Sequence, residues 1–164
     1  MSRRGAPDEG AFTTRITWVG HSTVLIEDGE TRVITDPLLR GRVLHLNRYA
    51  PGHDPNHERV DGVLISHLHY DHLDMPSLAL LGRDTPIVVP RGGGELLRRR
   101  RFLDVREIGV GDRARLGALE VRAVPARHHG RRLPLVGAAA SALGYVVSGS
   151  RRVYFLGDTD LFED

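Results

Sequence analysis

The hexapeptide His67-Leu68-His69-Tyr70-Asp71-His72 places three imidazoles and one carboxylate within six consecutive residues. It directly follows the apolar run Val63-Leu64-Ile65, which predicts a buried strand. Because alternate residues of an extended segment face the same way, His67 and His69 should project together from the end of that strand. Imidazole nitrogens and carboxylate oxygens are common ligands of divalent transition metals, and burying them together without an ion would be costly. The spacing therefore predicts a metal site in preference to a solvated histidine-rich loop.

Two later segments are candidates for the remaining ligands, because one short segment cannot surround a pair of ions. Pro125-Ala126-Arg127-His128-His129-Gly130 follows an alternating apolar strand, and Gly157-Asp158-Thr159 follows the apolar run at 153–156. An aspartate after a strand and a glycine usually belongs to a plain turn. The hexapeptide makes Asp158 a stronger candidate here, since a two-metal site needs a bridging carboxylate.

The composition limits the chemistry that the chain can use. Its 164 residues are enough for one domain with a substantial core. A net charge of +2 gives no strong electrostatic case for a nucleic-acid or membrane partner. The absence of cysteine excludes disulfides, a thiolate nucleophile and cysteine-ligated zinc, so a metal must be held by histidine and aspartate. No apolar run approaches the length of a membrane span, and a cytoplasmic location is therefore expected.

The hydrophobic pattern predicts a layered α/β domain over residues 12–164, after a flexible N-terminus at 1–11. Residues 40–59 are rich in Arg, His, Pro, Gly and Asn, and predict a long loop at the wall of a cleft. The arginine run at 98–101 is interpreted as a solvated helix face, because it lacks the interleaved aromatic residues of an RNA-binding surface. Predicted strands lie at 16–19, 24–26, 32–35, 63–66, 86–90, 105–108, 114–116, 119–125, 142–148 and 152–156, and predicted helices at 76–81 and 92–101.

Five segments, taken in chain order, carry a more specific pattern: Trp18-Val19-Gly20-His21-Ser22, Thr35-Asp36-Pro37, the run from Ser66 to Asp74, Pro125-Ala126-Arg127-His128 and Gly157-Asp158-Thr159. From about Ile16 to Thr159 the chain resembles the metallo-β-lactamase superfamily. Its His-Tyr-Asp-His-Leu-Asp variant is similar to the branch of N-acyl-phosphatidylethanolamine phospholipase D and the L-ascorbate-6-phosphate lactonases. The resemblance implies an α/β fold built as an αββα sandwich.

The resemblance also implies two divalent ions, with Zn²⁺ as the expected metal and Mn²⁺ or Fe²⁺ as alternatives. The implied ligands are His67, His69 and His128 for one ion, Asp71 and His72 for the other, and Asp158 as the bridge between them. The family usually has an aromatic residue where this chain has His129, so either His128 or His129 could be the ligand. The spacing from Pro125 favours His128. His21 lies either near the site or in the core, and His21 and His129 are the candidates for substrate binding.

The expected activity is that of a metal-dependent hydrolase. Two divalent ions can generate hydroxide near neutral pH for attack on phosphorus or on a carbonyl carbon. Asp71 is the expected catalytic residue, orienting the hydroxide and passing a proton to the leaving group. The expected substrate is a phosphodiester or related ester of a small-molecule or lipid-like compound. The alternatives are a lactonase, an RNA-processing nuclease, and a truncated metal-binding domain without turnover.

The end of the chain leads to a separate expectation. Six residues follow Asp158, and no histidine follows His129. The family's fold continues through a second half that normally supplies another histidine to the second metal. The sequence is therefore expected to be C-terminally incomplete, or to need a homo-oligomer or a completing chain to finish the site. In that case the predicted strand at 152–156 would expose apolar surface. The alternative is a compact short variant that closes its sheet in another way.

Overall fold

Short strands dominate the fold, as the alternation of apolar and polar residues predicts. The computed structural model describes residues 13–43, 46–47, 59–129, 132 and 138–161. In chain order the elements are β1 (Thr14–Gly20), β2 (Thr23–Asp28), β3 (Thr31–Thr35), β4 (Arg42–Val43), β5 (Leu46–Asn47), β6 (Gly62–Leu64), α1 (Met75–Leu80), β7 (Ile87–Pro90), α2 (Gly94–Arg98), β8 (Val105–Ile108), β9 (Arg113–Leu116), β10 (Leu119–Pro125), β11 (Leu143–Ser148) and β12 (Arg152–Phe155).

Two larger sheets organise these strands. The first has the order β1-β2-β3-β6-β7-β8, and the second has the order β12-β11-β10-β9. In the first sheet β1, β2 and β3 pair antiparallel, whereas β3, β6, β7 and β8 pair parallel. The second sheet is antiparallel throughout. β6 and β7 are connected through α1, and β7 and β8 through α2, as expected for crossovers between parallel strands.

The apolar side chains form two core clusters, one on each face of the first sheet. On one face, Ile34 and Val63 pack with Leu78 of α1 and Leu97 of α2. On the other face, the neighbouring residues Val33 and Leu64 of the same strands pack with Val121 and Tyr145 of the second sheet. Because successive side chains of a strand point to opposite faces, one short apolar strand can serve both clusters. Among the described residues the layers therefore run helix, sheet, sheet, which confirms the predicted α/β class.

The predicted elements agree with the structure, apart from their bounds. The helix predicted at 76–81 is α1, and Asp74 caps it by accepting a hydrogen bond from the Ser77 amide at 3.1 Å. The helix predicted at 92–101 is shorter than expected. The loop predicted at 40–59 contains the two short strands β4 and β5, and its residues 44–45 and 48–58 lie outside the described residues, as does the N-terminus at 1–11.

No helix in the part of the chain that the structure describes is long and apolar enough to cross a membrane.

Candidate metal centre

The ends of several strands meet at one edge of the two sheets. β3 and β6 are parallel, so Asp36 and Ser66 follow them at the same edge. β10 and β12 both run antiparallel to β11, which places His128 and Asp158 at a common edge of the second sheet. A hydrogen bond of 2.9 Å from the Leu143 amide to the Ser66 carbonyl joins the two edges. Strand direction alone therefore brings these distant segments together.

The first ligand group, meaning a set of side chains that could hold an ion, consists of His67, His69 and His128, whose candidate ligand atoms all lie within 4.8 Å of one another. Nε2 of His67 is 2.9 Å from Nδ1 of His69, and Nε2 of His128 is 3.3 Å from the same atom. Ligands about 2.0–2.1 Å from a tetrahedral zinc ion stand about 3.3 Å apart. Three imidazole nitrogens at these separations match the spacing around a single ion.

The second ligand group consists of His21, Asp71 and His72, again within 4.8 Å of one another. Oδ2 of Asp71 lies 3.2 Å from Nε2 of His21 and 3.9 Å from Nε2 of His72. The carboxylate of Asp158 lies between the two groups. Its Oδ2 is 3.3 Å from Nε2 of His72 and 3.9 Å from Nε2 of His128, as a bridging carboxylate would be.

A buried network fixes which nitrogen each of two histidines turns toward the site. Oδ2 of Asp36 lies 2.8 Å from Nδ1 of His72 and accepts the Ser66 hydroxyl proton at 2.5 Å. Because a carboxylate only accepts, His72 carries its proton on Nδ1 and leaves the lone pair of Nε2 free. The Ser66 oxygen in turn accepts from Nδ1 of His67 at 2.9 Å, which leaves Nε2 of His67 free as well. Both imidazoles are thus held in the tautomer that a metal ligand needs.

The group of Asp36, His67 and His72 also has ligand-competent atoms close together, and all three residues are buried. The oxygens of Asp36 are already used, however. Oδ1 accepts the Ser66 amide at 2.7 Å, and Oδ2 accepts the two hydrogen bonds given above. Asp36 therefore supports the ligands His67 and His72, and the three residues do not form a third ligand group.

One buried atom supports a metal at this place. Nε2 of His72 is buried and has no hydrogen-bond partner in the structure. Leaving such an atom unpaired costs about 1–3 kcal/mol, and the Nδ1 bond to Asp36 prevents His72 from reversing its ring to avoid that cost. A divalent cation between His72 and Asp71 or Asp158 would satisfy the atom. The donor set of histidine and aspartate suits such an ion, so the residues present fit the metal that the family implies.

The local electrostatics keep two residues of the first group, His67 and His69, neutral. Burial, together with the neighbouring His72, His69 and His128, lowers the pKa of His67 to about 2. Burial and the neighbouring His128 also lower the pKa of His69. Neutral imidazoles are the form that binds metals, so these two side chains are ready to act as ligands at neutral pH.

His72 behaves differently. Burial, the largest single influence, lowers its pKa, but the hydrogen bond and charge of Asp36 and the charges of Asp158 and Asp71 outweigh it and raise the pKa. A proton on Nε2 would lie where the ion is expected. Proton and metal therefore compete for this one atom.

Contacts between loops hold the ligand-bearing segments in place. The amide of Arg127 donates to the Thr159 hydroxyl at 2.9 Å, and the amide of Asp160 donates to the Arg127 carbonyl at 3.0 Å. This pair of hydrogen bonds connects the loop of His128 to the loop of Asp158. The guanidinium of Arg132 donates to the carbonyls of Leu68 and Leu73 at 3.0 and 3.1 Å, at the two ends of the hexapeptide loop.

The structure brings together every residue that the sequence predicts as a ligand: His67, His69, Asp71, His72, His128 and Asp158. His129 is exposed and belongs to neither group, whereas His21 lies beside Asp71 and not in the core. The supporting role of Asp36 and the loop contact of Thr159 were not predicted. The signal for Asp36 was its position directly after an apolar strand, which it shares with the predicted ligands.

The layered sheets and the histidine–aspartate groups at their strand ends define a protein of the metallo-β-lactamase fold. The sequence model described as Beta-lactamase superfamily domain matches residues 31–164, and the chain belongs to this family. The resemblance to the superfamily that the motifs carry is thereby confirmed.

Two known proteins are similar in sequence to most of this chain. An uncharacterized protein of Mycobacterium tuberculosis (strain ATCC 25618 / H37Rv) is 37% identical over 155 residues, which cover 88% of this chain and 42% of that protein. A UPF0173 metal-dependent hydrolase of Archaeoglobus fulgidus is 35% identical over 156 residues, covering 92% of this chain and 63% of that protein. This chain thus spans about two fifths to three fifths of the length of these relatives.

A solved structure extends the likeness. The crystal structure of CmlA, a diiron β-hydroxylase from Streptomyces venezuelae, matches with a TM-score of 0.70 and 28% sequence identity. The match covers 95% of this chain and 31% of CmlA.

Proposed function

We propose that this chain forms the catalytic region of a metal-dependent hydrolase that cleaves a phosphodiester or a related ester. The position of Asp158 is the observation that carries the proposal. Its Oδ2 lies 3.3 Å from Nε2 of His72 and 3.9 Å from Nε2 of His128, so one carboxylate connects the two ligand groups. Two ions that share a carboxylate form the arrangement that hydrolytic two-metal sites use. The metal-dependent hydrolase of A. fulgidus supports the same class of activity.

The proposed ligands are the six residues that the sequence predicts. His67, His69 and His128 would hold one ion, Asp71 and His72 the other, and Asp158 both. We propose zinc as the metal, because three nitrogen ligands in a tetrahedral arrangement suit it. Histidine and aspartate also accept Mn²⁺ and Fe²⁺, and the likeness to the diiron protein CmlA is a reason to test Fe²⁺.

When bound, two divalent ions lower the pKa of water and stabilise negative charge on the oxygens of the group that is cleaved. The protein's own contribution is orientation and proton transfer. The buried network of Asp36 and Ser66 keeps His67 and His72 in one tautomer, so the ligands need no rearrangement. The Asp71 side chain is 34% exposed, so it can take the proton of the attacking water and release it to the leaving oxygen.

The charge balance of the site favours an anionic substrate. Before the attacking water ionises, two divalent ions would bring four positive charges to three carboxylates, those of Asp36, Asp71 and Asp158. The remaining positive charge would attract a phosphodiester, which is negative, more strongly than a lactone, which is neutral. A phosphodiester of a small-molecule or lipid-like compound is therefore placed before a lactone in the proposal.

A comparison of three substrates tests the proposal. The metal-free chain is supplied with Zn²⁺, Mn²⁺ or Fe²⁺ and assayed on bis(4-nitrophenyl) phosphate, on a γ-lactone and on a short RNA. We expect metal-dependent cleavage of the phosphodiester that a chelator abolishes. Preferential opening of the lactone would contradict the phosphodiester assignment, and cleavage of the RNA alone would contradict a small-molecule or lipid-like substrate. Binding of two ions without hydrolysis of any of the three substrates would contradict the hydrolase assignment and support the alternative of a metal-binding domain without turnover.

A further inference from the structure

We propose that His21 supplies a nitrogen ligand to the ion that Asp71 and His72 hold, an inference that rests on the function proposed above. With His21, each ion would have three ligands of its own and a share in Asp158. Without it, the second ion would have two ligands of its own among the described residues.

The position of the imidazole supports this assignment. Nε2 of His21 is 3.2 Å from Oδ2 of Asp71, close to the separation of about 3.3 Å expected for two ligands of one tetrahedral zinc ion. The rings of His21 and His72 lie with their centroids 5.0 Å apart at an angle of 71°. The His21 imidazole therefore lies on the solvent-facing side of the second group. Its side chain is 40% exposed.

The backbone around His21 is unusual, and its form explains how the imidazole reaches the site. The register of β1 and β2 is shifted between Trp18 and Gly20, as at a β-bulge, and bulges commonly redirect a side chain beside a functional site. His21 itself has φ of 53°, in the left-handed region that non-glycine residues rarely adopt. Such a conformation costs about 1–3 kcal/mol and persists only where other contacts hold it.

Those contacts are present on both sides of the turn. The indole N–H of Trp18 donates to the carbonyl of His21 at 2.8 Å. The hydroxyl of Thr35 donates to the carbonyl of Ser22 at 3.0 Å, and the hydroxyl of Thr23 donates to the carbonyl of Asp36 at 2.8 Å. The turn that carries His21 is thus tied to the segment of Asp36, which orients the opposite ligand, His72. If His21 served only as a hydrogen-bond partner of Asp71, its backbone would not need to be held in a strained conformation by several hydrogen bonds.

Titration of the metal-free chain with Zn²⁺ tests the inference. The stoichiometry and the affinities are measured by calorimetry for the unmodified chain and for His21→Ala and His21→Asn. Asparagine tolerates the left-handed backbone better than alanine, so the second variant separates ligand loss from misfolding, and circular dichroism checks the fold of both. We expect two ions in the unmodified chain, and in both variants one unchanged ion and a second bound at least tenfold more weakly.

The exposed neighbour His129 provides the matched control, because His129→Asn removes an imidazole that belongs to neither ligand group. This variant should bind both ions with unchanged affinity. A second readout uses the Co²⁺-loaded chain, in which His21→Asn should remove one hyperfine-shifted imidazole N–H signal from the proton NMR spectrum. If His21 only stabilised the fold, the His21→Asn variant would show the same number of hyperfine-shifted imidazole N–H signals as the unmodified chain.

The outcomes separate this inference from the function on which it rests. An unmodified chain that binds no ion would contradict the proposed function as a whole. Binding of two ions that His21→Asn leaves unchanged in affinity would overturn the role of His21 only. A single ion in the unmodified chain that is insensitive to His21 would overturn it as well.

Discussion

Asp36 and His72 form a hydrogen bond of 2.8 Å between Oδ2 and Nδ1, and neither side chain reaches the solvent. In the neutral imidazole, the carboxylate thereby fixes the proton on Nδ1 and turns Nε2 of His72 toward the metal site. Partners of this kind orient the ligands of a metal and typically account for a 10–100-fold change in metal affinity. The relationship makes Asp36 a positioning residue whose effect can be measured separately from that of the ligands.

We expect Asp36→Asn to weaken Zn²⁺ binding about 10–100-fold and to lower the free energy of unfolding by about 1–3 kcal/mol. An amide presents hydrogens to Ser66 or His72 where the carboxylate accepted them, so one buried donor loses its partner. Calorimetric titration and urea unfolding measure the two effects. Asp84→Asn is the control, because Asp84 is exposed and precedes β7 at the other end of the first sheet. Unchanged Zn²⁺ affinity in Asp36→Asn would contradict the role of Asp36.

We expect Asp71→Asn to keep the fold and lose most of the turnover on whichever substrate the chain hydrolyses. At neutral pH the asparagine amide carries no negative charge to bind the metal and cannot accept and release a proton. The rate should fall by about 10²–10⁴-fold, the contribution typical of a general acid or base. Steady-state kinetics with matched zinc content measure it, with Asp84→Asn again as the control. A near-native rate at full zinc content would show that Asp71 has no catalytic role.

The close approach of two loops makes Gly157 sensitive to a single added carbon. A Cβ at Gly157 would lie 2.6 Å from Cβ of Ser66, and the residue has φ of +61°. Gly111 has φ of +88°, and a Cβ added there would have nothing within 4 Å. The variant Gly111→Ala therefore measures the backbone strain without a steric clash. We expect about 1–2 kcal/mol of destabilisation in Gly111→Ala and about 1–3 kcal/mol more in Gly157→Ala.

Urea unfolding compares the two glycine variants, and Zn²⁺ titration adds a functional readout. Because Ser66 accepts from His67 and donates to Asp36, its displacement in Gly157→Ala should also weaken metal binding. Gly111→Ala should leave the affinity unchanged. Equal destabilisation and equal affinity in the two variants would show that the contact with Ser66 is unimportant.

The buried, neutral state of His67 predicts how the stability of the metal-free chain depends on pH. Its pKa is about 2 in the fold, whereas an unfolded histidine titrates near about 6.5. Below pH 6.5 the unfolded chain therefore binds an extra proton at this residue. As the pH is lowered from there, the contribution of His67 to the free energy of unfolding falls by about 1.4 kcal/mol for each pH unit until the pH approaches the folded pKa.

His72 contributes with the opposite sign. Its raised pKa adds stability that is present below pH 6.5 and is lost as the pH rises through the folded pKa. Urea unfolding in the presence of a chelator, between pH 6 and pH 4, should therefore show a smaller decline for His67→Asn than for the unmodified chain. The exposed His129→Asn should keep the original slope. Parallel slopes in His67→Asn and the unmodified chain would contradict the buried neutral state.

Local sequence patterns predicted most of the elements, because strand alternation and apolar runs are local signals. The strand predicted at 152–156 and the structural β12 differ by one residue. The candidates His67, His128 and Asp158 could be selected because each follows an apolar strand, and the resemblance to the family implied that they share one site. Their common edge in the structure depends on strand direction.

The support of the site could not be predicted from local patterns. Asp36 follows a strand and precedes proline, as aspartates in ordinary turns do. Its role depends on the parallel pairing of β3 and β6, which places it beside Ser66, a residue distant in the chain. The placement of His21 depends on a register shift and a left-handed backbone, and neither has a signature in alternating side chains.

The proposed function requires that two ions bind at the strand ends and share Asp158. A crystal structure of the Zn²⁺-loaded chain, with anomalous differences measured at the zinc absorption edge, shows whether they do. We expect two peaks, one about 2.0–2.1 Å from the nitrogens of His67, His69 and His128, and the other at a similar distance from Asp71 and His72, with Asp158 in contact with both. An absence of peaks at these residues, or zinc bound only elsewhere on the chain, would contradict the proposed two-metal site.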